Sequence, residues 1–134
     1  LVASIAVVED EPDLRSLYCL VLKSRGYEVS FTASGVDEAV RAYDSSPAKP
    51  ALVIMDVRLA DGSGIDAAEK ILSLNPGARF LFATADADVL SGMVVPGSIG
   101  VLQKPFSLKD FLDSISKALS SSCPPYFQQY PGYA

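Results

Sequence analysis

The 134 residues carry a net charge of −5, with 49% apolar and 20% charged side chains, a composition ordinary for one globular domain. The acidic balance, with eleven scattered Lys and Arg, argues against a nucleic-acid-binding surface. The absence of His removes histidine general-base catalysis, most zinc chemistry and any role as a histidine phosphocarrier.

In chain order, Ser4–Val8 is short, apolar and partly β-branched, and reads as a buried strand running into Glu9, Asp10 and Glu11. Pro12 suits the first turn of a helix over Asp13–Arg25, whose Leu14, Leu17, Tyr18, Val21 and Leu22 form one apolar face. Gly26 stops it. Tyr27–Phe31 reads as a strand, Val36–Tyr43 as a helix ended by Ser45-Ser46-Pro47, and Ala51–Met55 as a fully apolar strand ending at Asp56. A glycine-bearing loop, Val57–Gly64, leads to a helix over Ile65–Leu74, and Asn75-Pro76-Gly77 marks a turn. Arg79–Ala83 and Val101–Gln103 read as the last two strands. Between them Gly92, Pro96 and Gly97 leave room only for a short or irregular helix. Ser107 opens the final helix with Asp110 three residues on as a capping partner, and Leu108, Phe111, Leu112, Ile115 and Leu119 line its buried face.

Five strand–helix alternations with continuously apolar strands predict an α/β fold, an open doubly wound parallel sheet with helices on both faces. Residues 1–120 form the domain. Residues 121–134, uncharged and rich in Ser, Pro and aromatics, read as an extension or linker. Cys19 and Cys123 have neither metal nor disulfide spacing, Cys19 reads as a small buried hydrophobe, and a cytoplasmic compartment is the expectation. No membrane segment or signal peptide is recognisable.

In an open parallel sheet, chemistry gathers at the carboxyl ends of the strands. There the sequence places Glu9–Glu11, Asp56, Thr84 and Lys104-Pro105. Crowded carboxylates repel by roughly 4 kcal/mol per pair at 4 Å and an effective dielectric of 20, so a proton or a cation must join them. Hard oxygen ligands suit Mg²⁺ or Mn²⁺, and a carboxylate can accept a phosphoryl group covalently. An ammonium at Lys104 and a hydroxyl at Thr84 would stabilise the transferred group. Taken singly, each has a plainer reading: a solvated acidic corner for Glu9–Glu11, a cap or turn for Asp56, a turn hydroxyl for Thr84 and a surface charge for Lys104. Their joint occurrence after four different strands favours the chemical reading.

The runs Val7-Val8-Glu9-Asp10-Glu11-Pro12, Leu52-Val53-Ile54-Met55-Asp56, Ala83-Thr84-Ala85 and Lys104-Pro105-Phe106 resemble the response-regulator receiver domains of two-component signalling, over residues 3–120. The resemblance implies a flavodoxin-like strand order 2-1-3-4-5, Asp56 as phosphoacceptor, Asp10 as a direct metal ligand and Glu9 as a ligand through water. It also implies the Arg58 backbone carbonyl as a further ligand, Thr84 and Lys104 as the phosphoryl-stabilising switch residues, and Arg58 and Asp86 as tuners of the phosphoryl lifetime. Gly64 matches the family's loop glycine, and the peptide before Pro105 is often cis there. A sensor histidine kinase or phosphotransfer protein would be the donor. The target would be a downstream protein, an output domain outside this chain, or a second copy in a homodimer. The chain is then a stand-alone receiver or one cut from a larger regulator.

Three departures stand out. Glu9 replaces the usual Asp, Ala60 replaces a Pro, and Val101 occupies the place of an aromatic that normally follows the threonine's movement. The last motivates an alternative, an interaction module of the same fold that signals without phosphate. A turnover enzyme is not expected, because an aspartate phosphatase would carry a second acid where Arg58 stands. A flavin module would need a hydroxyl- and glycine-rich loop after the first strand, and none is present.

Overall fold

Along each central strand, alternate side chains enter two separate cores. Ala6, Val8, Val53, Met55, Phe80 and Phe82 point to one, and Ile5, Val7, Leu52, Ile54, Leu81 and Ala83 to the other. A sheet buried on both faces has no polar side to present, which is why these strands read as unbroken apolar runs. The computed structural model describes residues 2–90 and 95–120.

The elements are β1 (Ser4–Val8), α1 (Pro12–Ser24), β2 (Glu28–Ala33), α2 (Val36–Ser45), β3 (Leu52–Asp56), the short strands β4 (Arg58–Leu59) and β5 (Gly62–Ser63), α3 (Gly64–Leu74), β6 (Phe80–Thr84), β7 (Ser98–Gln103) and α4 (Leu108–Ser120). Five strands form a parallel sheet in the order β2-β1-β3-β6-β7, which is 2-1-3-4-5 when only its own strands are numbered. β4 and β5 make a separate antiparallel hairpin. Tyr43, Ala39, Ala67, Ala68 and Ile71 from α2 and α3 cover one face, and Tyr18, Leu22, Phe111 and Ile115 from α1 and α4 the other. Burying each large apolar side chain contributes roughly 1.5–3 kcal/mol.

Local signals hold at several ends. Pro12 opens α1, Gly26 follows it at φ +86°, and Ser107 Oγ accepts from the Asp110 N–H at 3.0 Å. The peptide between Lys104 and Pro105 is cis.

Several boundaries and faces differ from the sequence reading. β2 runs on to Ala33 because its backbone stays paired with β1 through Val7↔Thr32 and Val8↔Ala33. β7 begins at Ser98 because pairing with β6 overrides the weak strand preference of Gly100. Between β6 and β7, by contrast, the described residues agree with the expected short or irregular helix, in one 3₁₀ turn, Ala87–Leu90. Leu17 and Leu108, expected on buried faces, are 39% and 43% exposed. They line an apolar groove with Leu14, Tyr18, Pro105 and Phe106, between α1 and the start of α4. Cys19 is half-buried rather than buried. Gly92 and the extension 121–134 lie outside the described residues. Among the described residues, no helix is long and apolar enough to cross a membrane.

Candidate functional site

Parallel pairing brings the strand ends to one edge. Val8 stands beside Met55, Asp56 beside Ala83, and Thr84 beside Gln103, so Glu9, Asp56, Thr84 and Lys104 emerge on adjacent strands in one crevice. One carboxylate oxygen from each of Glu9, Asp10 and Asp56 lies within 4.8 Å of the others. Glu9 and Asp56 are buried, at 2% and 6% exposure, and Asp10 is the most exposed of the three.

Lys104 is held from several sides. Its N–H donates to the Thr84 carbonyl at 2.7 Å. Beyond the cis peptide, Phe106 stacks on Tyr18 and Phe111 with ring centroids 6.0 and 5.9 Å apart. The ammonium is thereby aimed inward, and Nζ donates to Glu9 Oε1 at 2.9 Å and to Asp56 Oδ2 at 3.3 Å. Glu9 is fixed in turn: the Glu11 N–H donates to its Oε2 at 3.2 Å, and Arg15 Nη1 donates to its carbonyl at 2.8 Å.

The electrostatics follow from burial and crowding. Asp56 is pushed up to about 7, first by burial and then by the neighbouring Glu9, against the pull of Lys104. Burial also pushes Glu9 up, but hydrogen bonding to Asp56 and Lys104 outweighs it and leaves Glu9 below its ordinary value. Asp10 is raised by burial and by Glu9. For Lys104 burial works downward, yet its two carboxylate partners leave it raised. Of the two buried acids, Asp56 is the one pushed toward the protonated form, and Lys104 pairs with both. With all three acids ionised, Lys104 offsets one charge and leaves two uncompensated, the charge of one divalent cation.

The donor set fits such an ion. Two oxygens on one octahedral Mg²⁺ at about 2.1 Å lie roughly 3 Å apart when adjacent and about 4.2 Å apart when opposite. A cluster whose oxygens all lie within 4.8 Å of one another is close to that span.

Thr84 is buried at the end of β6, with its hydroxyl engaged in its own turn. Oγ1 accepts from the Asp86 N–H at 3.1 Å and donates to the Asp86 carbonyl at 3.3 Å. Asp86 is exposed, and its Oδ1 accepts from the Asp88 N–H at 3.2 Å. Arg58 is exposed on β4, directly after the acceptor strand. Gly64 is required where it stands, since a Cβ there would lie 2.0 Å from the Asp56 carbonyl oxygen. Val101 is 36% exposed on the edge strand β7.

Two residues at the site escaped sequence reasoning. Arg15 lies six positions beyond the Glu9 carbonyl that it holds, a basic residue one turn into α1 that the apolar-face reading passed over. Asp61 binds the start of α2 across 25 residues, a contact with no local signal.

Residues 5–116 match the response regulator receiver domain family. The transcriptional regulatory protein PdtaR of Mycobacterium tuberculosis is 34% identical over 117 residues, which cover 87% of this chain and 56% of PdtaR. The chain spans about half the length of the curated relatives from that organism. Among solved structures, the non-phosphorylated HemR receiver domain from Leptospira biflexa superposes with a TM-score of 0.79 at 34% identity, covering 91% of this chain and 98% of that one. The response regulator TrrA from Thermotoga maritima, solved in complex with Mg²⁺–BeF, gives 0.77 at 28% identity, with 87% and 99% covered. With the strand order, the acidic crevice and this match over most of its length, the chain belongs to the response regulator receiver domain family.

Proposed function

We propose that Asp56 accepts a phosphoryl group from the phosphohistidine of a sensor histidine kinase or phosphotransfer protein. Receiver domains are phosphoacceptor modules of two-component signalling, not turnover enzymes. The observation that carries the proposal is the trio Glu9, Asp10 and Asp56 within 4.8 Å under the Lys104 ammonium at 2.9 and 3.3 Å. In the transfer, an Asp56 carboxylate oxygen forms the new P–O bond as the donor's P–N bond breaks, and the imidazole leaves with the electron pair and takes up a proton. Asp10, Asp56, the Arg58 carbonyl and, through water, Glu9 would hold Mg²⁺ or Mn²⁺. The ion would neutralise charge on the phosphoryl oxygens. TrrA, crystallised with Mg²⁺–BeF, supports this assignment by likeness.

On this reading Lys104 would turn from Glu9 and Asp56 to a phosphoryl oxygen, and Thr84 would exchange its Asp86 contacts for one. Arg58 and Asp86, exposed beside the crevice, are assigned to tuning the phosphoryl lifetime. The phosphorylated domain, residues 1–120, would then switch a downstream target, an output domain outside this chain, or a homodimer, in the cytoplasm. Incubation with acetyl phosphate and Mg²⁺, followed by intact mass, tests the reading. One phosphoryl adduct is expected, absent from Asp56→Asn. No adduct, or one that survives that substitution, sinks it.

A second reading rests on Val101 and the 3₁₀ turn. With no aromatic on β7 to follow Thr84, the domain would act as an interaction module indifferent to phosphate. Partner binding unchanged by Asp56→Asn would favour it.

A further inference from the structure

The hairpin that follows the acceptor is pinned at both ends. At its base, the Val57 N–H donates to the Ala83 carbonyl at 3.0 Å, and the Gly64 N–H donates to the Val57 carbonyl at 2.8 Å. At its tip, Asp61 leaves the hairpin altogether. Its Oδ1 accepts from the Val36 N–H at 2.7 Å, and its Oδ2 accepts from the Asp37 N–H at 3.4 Å.

These are N–H groups of the first turn of α2, which have no partner inside the helix. The residue that would ordinarily serve them is Gly35, which has no side chain to do so. Asp61 fills the place from the far side of a 25-residue separation. A Cβ on Gly35 would lie 2.7–2.9 Å from its carboxylate atoms. The bond from Val36 holds the Asp61 carboxyl below its ordinary value, as expected for an anion at a helix start. The tip also lies close to α2, where a Cβ added at Gly62 would come within 3.3 Å of a Val36 methyl.

Arg58 lies between these two anchors, paired with Ser63 across the hairpin. We propose that Asp61 is a positioning residue for the cation site: by tying the hairpin tip to α2 it fixes the backbone of Arg58, whose carbonyl would complete the ligand set. This rests on the reading that Glu9, Asp10 and Asp56 bind Mg²⁺. Asp61 never touches the ion. Its effect passes through backbone position, as outer-shell partners of metal sites act through the ligands they orient.

A plain helix cap would give the same contacts, so the test must separate the two roles. In the full chain, Mg²⁺ binding is measured by isothermal titration calorimetry and stability by urea unfolding, for wild type, Asp61→Ala and the double variant Gly35→Asp/Asp61→Ala. Gly35 has φ −156° and ψ 179°, extended backbone that any residue adopts. An Asp there caps α2 locally once Asp61 is gone, without tethering the hairpin. Asp61→Ala is expected to lower stability and weaken Mg²⁺ by about tenfold, the low end for outer-shell partners. The double variant is expected to regain stability but keep the weak Mg²⁺ binding. Recovery of Mg²⁺ affinity along with stability would reduce Asp61 to a cap and overturn the proposal, as would unchanged affinity in Asp61→Ala. If wild type binds no Mg²⁺, the cation reading itself fails and this inference with it. If wild type binds, and Asp56→Asn weakens binding while the Asp61 variants do not, only the inference fails.

Discussion

Lys104 lies nearer to Glu9 than to Asp56, with Nζ 2.9 Å from Glu9 Oε1 and 3.3 Å from Asp56 Oδ2. The longer arm of Glu9, which stands where the family usually has Asp, makes the shorter of the two contacts with the half-buried Lys104 ammonium. Asp56 is raised to about 7 first by burial and then by the negative charge of Glu9, with Lys104 pulling the other way.

Glu9→Gln removes that negative charge and frees Lys104 for Asp56. Both changes favour the ionised acceptor. The titration midpoint of the Asp56 carboxyl is expected to fall from about 7 by about one pH unit or more. Carbon-detected NMR of the side-chain carboxyls across pH 4–9 reads it directly. A midpoint that stays put or rises would show that Glu9 adds nothing to the effect of burial on Asp56.

Because Asp56 is raised in the folded chain, its proton stabilises the fold at low pH, and that contribution is lost as pH rises from the unfolded value near 3.8 through about 7. Glu9, shifted down, acts with the opposite sign, but in a window below its ordinary 4.5. Between pH 5 and 8 the metal-free chain is thus expected to lose on the order of 2 kcal/mol from Asp56. The loss should largely vanish in Asp56→Asn. Mg²⁺ must displace the same proton, so its apparent affinity should rise about tenfold from pH 6 to pH 8. Urea unfolding and calorimetric titration at the two ends of the range check both slopes.

Most of the sheet was legible because its strands are buried on two faces and punctuated by turn residues. Asp56 and Lys104 were legible as charges placed at the ends of apolar strands. What stayed hidden depends on distance in sequence. Pairing with β1 and β6, not local preference, sets where β2 ends and β7 begins. Leu17 and Leu108 follow the helical period of their buried neighbours, and only the packing of α1 against α4 in the folded chain leaves them lining the groove. Asp61 reads as an ordinary loop acid until α2 is folded against it.

Gly64 offers the sharpest steric test of how the acceptor is framed. It opens α3 immediately after the hairpin, and its N–H donates to the Val57 carbonyl at 2.8 Å. Its α-carbon passes so close to β3 that an added Cβ would meet the Asp56 carbonyl oxygen at 2.0 Å and a Met55 side-chain carbon at 2.9 Å. The Met55 side chain can rotate, but the carbonyl belongs to the backbone of the acceptor itself and is fixed in the centre of the sheet. Gly64→Ala must therefore move either α3 or the end of β3. Overpacking of this kind costs on the order of 1–3 kcal/mol, so a lower urea midpoint is expected. To the extent that the end of β3 gives way, Asp56 shifts against Glu9 and Asp10, so phosphorylation by acetyl phosphate is expected to slow even at temperatures where the variant is fully folded. Gly77→Ala is the control. There an added Cβ meets only Asn75 Oδ1 at 3.4 Å, and both stability and phosphorylation should stay close to wild type.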